Sequence, residues 1–551
     1  MLKSSTPTSR FVISVVIFCL FTCVGGAEDP KRLNVRLSPG TDFVASLEFK
    51  PALVTENDDP IRFTFQVVET SQPLVMKRSG CFVFEESGVS HLPLRGLANP
   101  VLKKGVAVQV ASQNKVLYVL IPTPTTPLEV LPKSSTVSAV PIAVGIPAQA
   151  TGIDIQSIIN SLGTTGGTVH LSTGTYPITL PITVPSNVTI EGDGSGTQII
   201  NNSADFAFRI EGVESLTTRI TQDITRGGGV GTARVAIRVQ DSGGFVAGDT
   251  VKIVKDNDYP VKIEFNKVFS AQANVITFQD NFIESYKASD NVKVVAVIPA
   301  RNVAINNLSI TSSPGTTLQG GVWAKNTTTL RLTNLRLFNL TAKSMQVEDS
   351  YLPRIENNTL VDNGRVGYGD WGLRINLSHG AVVTGNKLIS SGAIVVDGNL
   401  HALVKNNHTD NTGQTGGDGF SIISTVGSTF DSNTVSRAKC YGIWMKYGSE
   451  RNVLSGNHIT SGVTTGIYVS DNSIDNSFCN NILTNNSGSG LVLAETAHNS
   501  IAQGNIANGN LGWGILVLGN SNVVMGNKLR LNGTNPLLVV EGQGNVTKDN
   551  F

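Results

Sequence analysis

Residues 385–388 read Gly-Asn-Lys-Leu, and residues 456–459 read Gly-Asn-His-Ile. An asparagine in this context recurs every 21 to 28 residues through the second half of the chain. The copies are Asn334, Asn358, Asn386, Asn407, Asn433, Asn457, Asn481, Asn505, Asn527 and Asn550, with an earlier one at Asn307. Repeats of about 20–50 residues stack so that each covers the apolar face of its neighbour. The spacing therefore predicts a solenoid.

A repeat of this length accommodates three short strands and three turns. Successive coils then stack at the spacing of neighbouring strands, about 4.8 Å, so equivalent residues form ladders along the solenoid axis. An inward asparagine at a turn can bond the asparagines above and below it and also satisfy backbone groups that would be buried without partners. We interpret the asparagine column as scaffold.

The composition is that of a β protein with many turns. Among 551 residues there are 56 glycines, only 15% are charged, and the formal net charge is +1. Nucleic-acid binding calls for a basic face, so the balance argues against a nucleic-acid partner. Cys81, Cys440 and Cys479 are an odd set with no metal-ligand spacing, so we expect no metal site and expect Cys440 and Cys479 to be buried.

The N-terminus has the features of a secretory signal. Lys3 and Arg10 precede an apolar run from Phe11 to Cys23, and the small residues 25–27 offer a cleavage site. We predict a signal peptide over 1–27 and a secreted, periplasmic or cell-surface location. No other segment is apolar and long enough to cross a bilayer, so we expect no membrane span.

Composition shifts divide the rest of the chain. Alternating apolar and polar runs predict a small β domain over 28–121, and repeated proline predicts an extended linker over 122–147. The solenoid occupies 148–551. Within it, residues from about 213 to 300 break the repeat and have strand-like alternation, which predicts a β insertion.

The start of the solenoid carries a recognisable order of elements. Residues 153–162 place apolar side chains at helical spacing, and the glycine-containing strands 166–171, 174–176 and 188–194 follow. This order resembles the opening of pectate-lyase-like right-handed parallel β-helix proteins, in which the helix caps the open end. The resemblance covers roughly residues 148–551. It implies an all-β, right-handed parallel β-helix with an N-terminal capping helix and a separate small N-terminal β domain.

The resemblance reaches the fold and stops there. The chain lacks the paired-Asp motif of polygalacturonases, the Asp-Pro-His turn of alginate epimerases and the Arg-x-Pro-x-x-Arg segment of typical pectate lyases. It allows a Ca²⁺ cofactor and a homo-oligomer, since trimers occur among such proteins. The asparagine column runs to Asn550, so we expect the last coil to be uncapped and open to a partner or another copy.

Period-two alternation in a second recurring strand defines two outward columns. Column 1 holds Trp323, Gln346, Arg374, Val395, Ser421, Trp444 and Tyr468. Column 2 holds Lys325, Glu348, Asn376, Asp397, Ile423, Lys446 and Ser470. Rings that stack on sugars and charges that orient hydroxyls or uronates form the kind of strip that a polysaccharide needs. The alternative is a solvated sheet face with scattered aromatic residues.

The predicted substrate-binding residues are Trp323, Lys325, Asn376, Trp444 and Tyr468, and the predicted catalytic residues are Glu348, Asp397, Arg374 and Lys446. Two coil spacings put Glu348 and Asp397 roughly 9.6 Å apart. That value is near the upper end of the carboxylate separation of inverting glycosidases, about 6.5–9.5 Å. A lyase would use the cations to neutralise a uronate. Flanking turns offer further acids and bases at Tyr368, Asp370, Trp371, His379, His401, Asp418 and Tyr441.

Two functions remain open. One is a secreted lyase, hydrolase or epimerase that acts on a polysaccharide along this strip. The other is a non-catalytic glycan-binding or cell-surface structural protein with the same groove. Metal delivery, known for one related group of β-helix proteins, is disfavoured because the sequence has no Cys/His/Met cluster.

Overall fold

A computed structural model describes residues 150–551 except 228–234, 257–258, 314–318, 364–371, 412–416, 463 and 534–537, and before residue 145 it describes strand backbones only. The chain divides into two compact units, Met1–Val137 and Ser138–Phe551. The first contains an antiparallel sheet of strands Val44–Phe49, Ile61–Glu69, Lys115–Pro122, Lys104–Ser112 and Cys81–Glu85, in that spatial order. Strands Val12–Val15 and Leu33–Arg36 pair separately. Most of the predicted signal and linker lies outside the described residues, and the predicted domain boundaries stay predictions.

The second unit is a parallel β-helix built from three long sheets. Each coil passes through sheet A, then sheet B, then sheet C. Sheet A has the strands Ile142–Ile146, Gly167–Leu171, Val188–Gly192, Ala304–Asn306, Arg331–Thr333, Arg354–Glu356, Val382–Thr384, Leu403–Lys405, Thr429–Asp431, Val453–Ser455, Ser477–Cys479, Ile501–Gln503, Val523–Met525 and Val546–Lys548. Sheet B has the strands Gly174–Ile178, Thr197–Asn201, Ser309–Ser312, Arg336–Phe338, Thr359–Val361, Lys387–Ile389, His408–Asp410, Thr434–Ser436, His458–Thr460, Ile482–Thr484, Ile506–Asn508 and Lys528–Arg530.

Sheet C carries the predicted columns. Its strands are Ile182–Thr183, Phe206–Glu211, Gly320–Lys325, Met345–Glu348, Leu373–Asn376, Ile394–Asp397, Phe420–Ile423, Ile443–Lys446, Ile467–Val469, Leu491–Leu493, Ile515–Val517 and Leu538–Val540. A short parallel pair, Ala300–Arg301 with Thr327–Thr328, joins two coils beside it. Short 3₁₀ turns lie at Gly194–Gly196 and Ala288–Asp290. The predicted all-β parallel β-helix is confirmed.

The predicted helix is present at Gly152–Ser161. Thr151 caps it: its hydroxyl accepts from the backbone of Asp154, and the Asp154 carboxylate accepts from the backbone of Thr151. Ile155 and Ile159, one helical turn apart, are fully buried in the solenoid core. Among the described residues, no helix is long and apolar enough to span a membrane.

Asparagine amides hold the turns between sheets A and B. Asn457 is representative: its side-chain amide donates to the Phe430 carbonyl (2.9 Å) and to Oδ1 of Asn481 (2.9 Å). Its own Oδ1 accepts from the backbone and side-chain nitrogens of Asn433. Every donor and acceptor of the amide is therefore used. The same pattern repeats from Asn358 to Asn550, which confirms the predicted ladder over that range.

Two members of the column are placed differently from the prediction. Asn307 and Asn334 have φ near 54° and lie at the exposed left-handed turn position, where Asn334 donates to Asn307. The next residues, Leu308 and Leu335, take the inward position and are buried. Asparagine tolerates left-handed φ as well as it satisfies buried turns, so its period alone does not reveal which of the two positions it occupies.

Further amide ladders, which were not predicted, exist at the other turns. Before sheet A, backbone and side-chain bonds link Asn452 to Asn476, and Asn522 bonds on to Asn545. After sheet B, Asn486 donates to Asn510 through its backbone and its amide. Their recurrence at intervals of about 24 residues was visible in the sequence.

Residues 213–298 leave the solenoid and form a separate antiparallel sheet, which we call the insertion. Its strands, in spatial order, are Val213–Arg219, Lys293–Ile298, Thr250–Lys255, Lys262–Gln272, Val275–Phe278 and Ala236–Arg238. It has its own buried core, which includes Val251, Phe278 and Phe282. The insertion is therefore packed as a small domain with its own hydrophobic core.

The expected burial of the two described cysteines is wrong. Cys440 is exposed in the turn before strand Ile443–Lys446, and Cys479 is half-buried. Cys479 ends a sheet A strand in which Phe478 takes the inward position, so the thiol points outward. Cys81 lies where only the backbone is described.

We predict that Asn457→Ala lowers the free energy of unfolding by roughly 2–4 kcal/mol, because it leaves buried donors of Asn433 and the Phe430 carbonyl without partners. Asn334→Gly is the matched control. It removes an amide of the same repeat at an exposed left-handed position, where glycine is unstrained. Equal shifts of the two urea midpoints would contradict the ladder's structural role.

A second prediction concerns Glu264 in the insertion. Burial raises the pKa of its carboxyl from 4.5 to about 7, although the backbone nitrogens of Ile283 and Glu284 donate to it. Between pH 4.5 and about 7 the folded state therefore holds a proton that the unfolded state has released. The resulting contribution to the free energy of unfolding is complete below pH 4.5 and is lost as the pH rises through about 7. It amounts to roughly 3 kcal/mol. Urea unfolding across this range should show the loss in the parent but not in Glu264→Gln; parallel profiles would contradict it.

Candidate functional site

The outer face of sheet C has the register that alternation predicts. Trp323 pairs with Gln346, Gln346 with Arg374, and Arg374 with Val395 across consecutive coils. In column 2 the same ladders join Lys325, Glu348, Asn376, Asp397, Ile423 and Lys446. The alternate residues Val322, Met345, Leu373, Ile394, Phe420, Ile443 and Ile467 are buried in the core. Each column therefore runs unbroken along the solenoid.

At the centre of the face Arg374 and Asp397 form an ion pair. Nη2 of Arg374 donates to Oδ2 of Asp397 at 2.7 Å, and the two side chains are 19% and 4% exposed. Oδ1 of Asp397 has no hydrogen-bond partner among the described residues. Burial raises the pKa of Asp397, and the charges of Arg374 and Lys446 partly oppose that rise. The carboxyl is thus held in place by one oxygen while the other is left without a donor.

Glu348 is the second carboxyl of column 2, two coils before Asp397. Its Oε1 accepts from the side-chain amide of Gln346, its neighbour in column 1. Burial and the adjacent Asp349 raise its pKa, against the lowering effect of Lys325 and Arg374. A raised pKa favours a carboxyl that can hold and deliver a proton near neutral pH.

Lys446 lies in column 2, two coils beyond Asp397, and its ammonium is beside the Arg374–Asp397 pair. Nζ lies 3.2 Å from the centroid of the Trp444 ring, and the Trp444 Nε1 donates to the Ser470 hydroxyl at 3.1 Å. Burial lowers the pKa of Lys446, while Asp418, Asp471 and Asp397 oppose that shift. No carboxylate of the described residues lies within ion-pair distance of this ammonium.

Aromatic rings cluster beside Lys446. Tyr441 stacks on Tyr468 with ring centroids 4.7 Å apart and an interplanar angle of 11°, and it lies 5.1 Å from Trp444. At the far end of the strip, the Arg209 guanidinium covers Trp323 at 4.4 Å. Aromatic rings are therefore concentrated around Trp444 and Tyr468, both of which are half-buried.

Asp418 is a further buried acid at this face, from the turn before strand Phe420–Ile423. The Ser421 hydroxyl donates to its Oδ2 at 2.5 Å, and the Tyr441 backbone donates to its Oδ1 at 3.2 Å. Burial raises its pKa, and these two hydrogen bonds and Lys446 act in the opposite direction. Asp397, Asp418, Arg374 and Lys446 form one charged cluster.

Several residues of the predicted strip are less available than the sequence suggested. Val395 and Ile423 are buried with Ala393, so the centre of the face is not a solvated surface. Lys325 Nζ lies 4.0 Å from both Glu214 and Asp349, at the contact with the insertion. Asn376 occupies its predicted place in column 2 and is half-buried.

The flanking histidines do not face the strip. His379 accepts from the Phe265 backbone of the insertion (3.5 Å), and burial together with His401 lowers its pKa to about 3. It is therefore neutral and directed to the insertion. Tyr368, Asp370 and Trp371 lie outside the described residues. Among those described, no group of three or more His, Cys, Asp or Glu side chains is placed to hold a metal ion.

The insertion contributes an aromatic residue to this face that the sequence did not indicate. Tyr259, in the turn between Thr250–Lys255 and Lys262–Gln272, stacks on Tyr447, the residue after Lys446. The two tyrosines are nearly 190 residues apart and share no repeat position. No periodic signal could have paired them.

We predict that Arg374→Met destabilises the fold by roughly 3 kcal/mol, because it leaves the buried Asp397 carboxylate without its counter-ion. The double variant Arg374→Met/Asp397→Asn should recover part of that loss, which gives a coupling of roughly 1–3 kcal/mol in a double-mutant cycle. Urea unfolding of the four proteins measures it. Strictly additive losses would show that the two side chains do not interact.

Solved structures with a similar chain path are dissimilar in sequence. The tailspike protein gp49 from Pseudomonas phage LKA1 is 14% identical over 71% of this chain and 73% of its own, with a TM-score of 0.46. The tailspike gp61 of Pseudomonas phage phi297 is 15% identical over 71% and 72%, with a TM-score of 0.44. The periplasmic alginate epimerase AlgG is 12% identical over 74% and 85%, with a TM-score of 0.39. Likeness at this level says nothing of substrate or reaction.

No curated protein sequence matches the chain significantly. The family model described as "Right handed beta helix region" matches residues 251–407 and 371–532, which together span more than half of the chain. The first part of this range, residues 251–298, lies in the insertion, and the rest consists of coils that carry the sheet C columns and most of the amide ladder. The chain therefore belongs to the right-handed β-helix family.

Proposed function

We propose that this chain is an exported, polysaccharide-active protein that binds a glycan along the outer face of sheet C. The observation that carries the proposal is the central strip of that face. It combines the Arg374–Asp397 pair, the Lys446 ammonium and the Trp444 ring in one strand register. Successive positions of this register lie one coil spacing, about 4.8 Å, apart, so groups spread along it suit a polymeric ligand.

The aromatic rings supply the non-polar part of the recognition. Trp444 and Tyr468 offer flat faces, and Tyr441 holds Tyr468 by stacking. A sugar ring has an apolar face that packs on such surfaces and hydroxyls that bond nearby polar groups. Asn376 is a half-buried polar group on the same face, and Gln346 and Ser470 are buried there against Glu348 and Trp444.

The carboxyls supply the chemistry. Glu348 has a raised pKa and would act as the acid that protonates a leaving oxygen. Asp397, paired with Arg374, would act as the base that activates water, which is the division of labour in an inverting hydrolase. Their separation of roughly 9.6 Å, two coils apart, is close to what that reaction requires.

Lyase or epimerase chemistry uses the same residues differently. Lys446, whose pKa is lowered by burial, could remove the proton next to a uronate carboxyl. Arg374 would then neutralise the charge that develops on the carboxyl. The alternative function is that of a non-catalytic protein, which either binds glycans without turnover or has a structural role at the cell surface. It requires the rings but gives the raised pKa values of Glu348 and Asp397 no role.

We predict that Glu348→Gln and Asp397→Asn each reduce turnover by about 10²–10⁴-fold with little change in oligosaccharide affinity, because the amides keep the shape but not the proton chemistry. A reducing-sugar assay detects hydrolysis, and ultraviolet absorbance detects an unsaturated lyase product. No turnover by the parent on any acidic or neutral polysaccharide would contradict the catalytic proposal and favour the binding alternative.

We further predict that Trp444→Ala weakens oligosaccharide binding about 10-fold, equivalent to about 1.4 kcal/mol of lost ring stacking. Phe338→Ala is the control, since Phe338 is an outward ring on sheet B that also contacts an arginine. Isothermal titration compares the two. Equal affinities of Trp444→Ala and the parent would place the ligand elsewhere.

A further inference from the structure

The insertion is fixed against the solenoid along the border of sheet C. Near its base, Lys252 Nζ donates to Asp349 Oδ2 at 2.8 Å and to Glu214 at 2.7 Å. Its Phe265 ring lies 5.6 Å from Tyr351 of the next turn. These contacts bind the hairpin formed by Thr250–Lys255 and Lys262–Gln272 to the turns that leave sheet C.

A second set of ion pairs joins the insertion to the solenoid, four coils beyond Asp349. Lys262 Nζ lies 3.0 Å from the buried Glu284 carboxylate, and Arg451 of the solenoid pairs with the same carboxylate. Arg451 also contacts Glu450 at 2.9 Å. With anchors from Asp349 to Arg451, the hairpin lies beside five consecutive sheet C strands and is held at both ends.

The tip of the hairpin reaches the strip at Lys446. Tyr259 stacks on Tyr447 with ring centroids 4.6 Å apart and an interplanar angle of 19°. Pro260 packs on Gly448, whose φ is 70°, so closely that a Cβ there would lie 3.0 Å from the Pro260 Cβ. Despite this packing the two rings stay accessible: Tyr259 is 54% exposed and Tyr447 is 38% exposed.

The stacked tyrosines continue the aromatic surface of the strip. Lys446 Nζ lies 3.2 Å from the Trp444 centroid and 5.4 Å from the Tyr447 centroid, so the ammonium sits between the two aromatic groups. Burial and the charge of Asp397 raise the pKa of the Tyr259 phenol, against Arg374. The hairpin tip is therefore in the electrostatic field of the central ion pair.

We propose that Tyr259 and Tyr447 form a second sugar-binding platform, so that the insertion supplies one wall of the groove, and that Lys446 between the platforms binds an anionic sugar unit. This inference rests on the proposed glycan binding at sheet C. The ammonium is half-buried between rings and has no carboxylate of the described chain within ion-pair distance. Asp418, Asp471 and Asp397 act on the ammonium only from beyond that distance, and an anionic ligand would supply a direct counter-charge.

The test compares oligogalacturonate and oligoalginate with the same oligomers after reduction of their carboxyls to neutral alcohols. We expect the parent to bind an anionic oligomer more tightly than its reduced form. Tyr259→Ala should weaken that binding about 10-fold, while Tyr259→Phe, which keeps the ring, should bind like the parent. Lys446→Met should remove most of the preference for the charged form.

Phe269→Ala is the control on the same insertion, since Phe269 is 41% exposed and lies away from the hairpin tip in sequence. Thermal unfolding checks that each variant folds. If Trp444→Ala weakens binding and Tyr259→Ala does not, the platform is wrong and the glycan-binding strip stands. If the parent prefers the reduced oligomers, the anionic subsite is wrong. If it binds no oligosaccharide of either charge, the strip and the platform fail together.

Discussion

The structure depends on the hydrogen-bonded amide at the turns between sheets A and B from Asn358 to Asn550. A β-helix buries a sharp turn in every coil, and each turn leaves backbone groups facing a dry interior. Asn457 and its equivalents satisfy those groups and bond to each other, so one side chain fixes the turn and the stacking of the next coil. Because the coils from Asn358 to Asn550 are registered in this way, the outward residues of their sheet C strands line up whether or not they contact one another.

That registration makes a functional face from residues far apart in sequence. Arg374 and Asp397 meet because their strands are adjacent coils, and Lys446 stands two coils beyond Asp397 in the same column. The burial that raises the pKa of Asp397 and Glu348 and lowers that of Lys446 comes from the packed face itself. A rigid scaffold can hold carboxylates and an ammonium close together while keeping some of them too far apart to form ion pairs.

Periodicity predicts what repeats and misses what does not. The columns from Trp323 to Tyr468 could be read from alternation because a one-residue slip would have exposed Met345 or Phe420. Asn334 was misplaced because the left-handed turn position and the inward position are neighbours, and asparagine fits both. Alternation correctly places Val395 outward but does not show that it is buried with Ala393 and Ile423. The approach of Tyr259 depends on the insertion, a segment outside the repeat, whose packing leaves no pattern in the sequence.

The central claim is that the outer face of sheet C, bordered by the insertion, is a glycan groove. A crystal structure of the parent chain with a bound oligosaccharide tests this most directly. The account predicts a sugar chain running across the sheet C strands, with rings on Trp444 and Tyr468 and an anionic or polar group beside the Lys446 ammonium. A sugar chain seated on sheet A or sheet B, with the Arg374–Asp397 face empty, would contradict it.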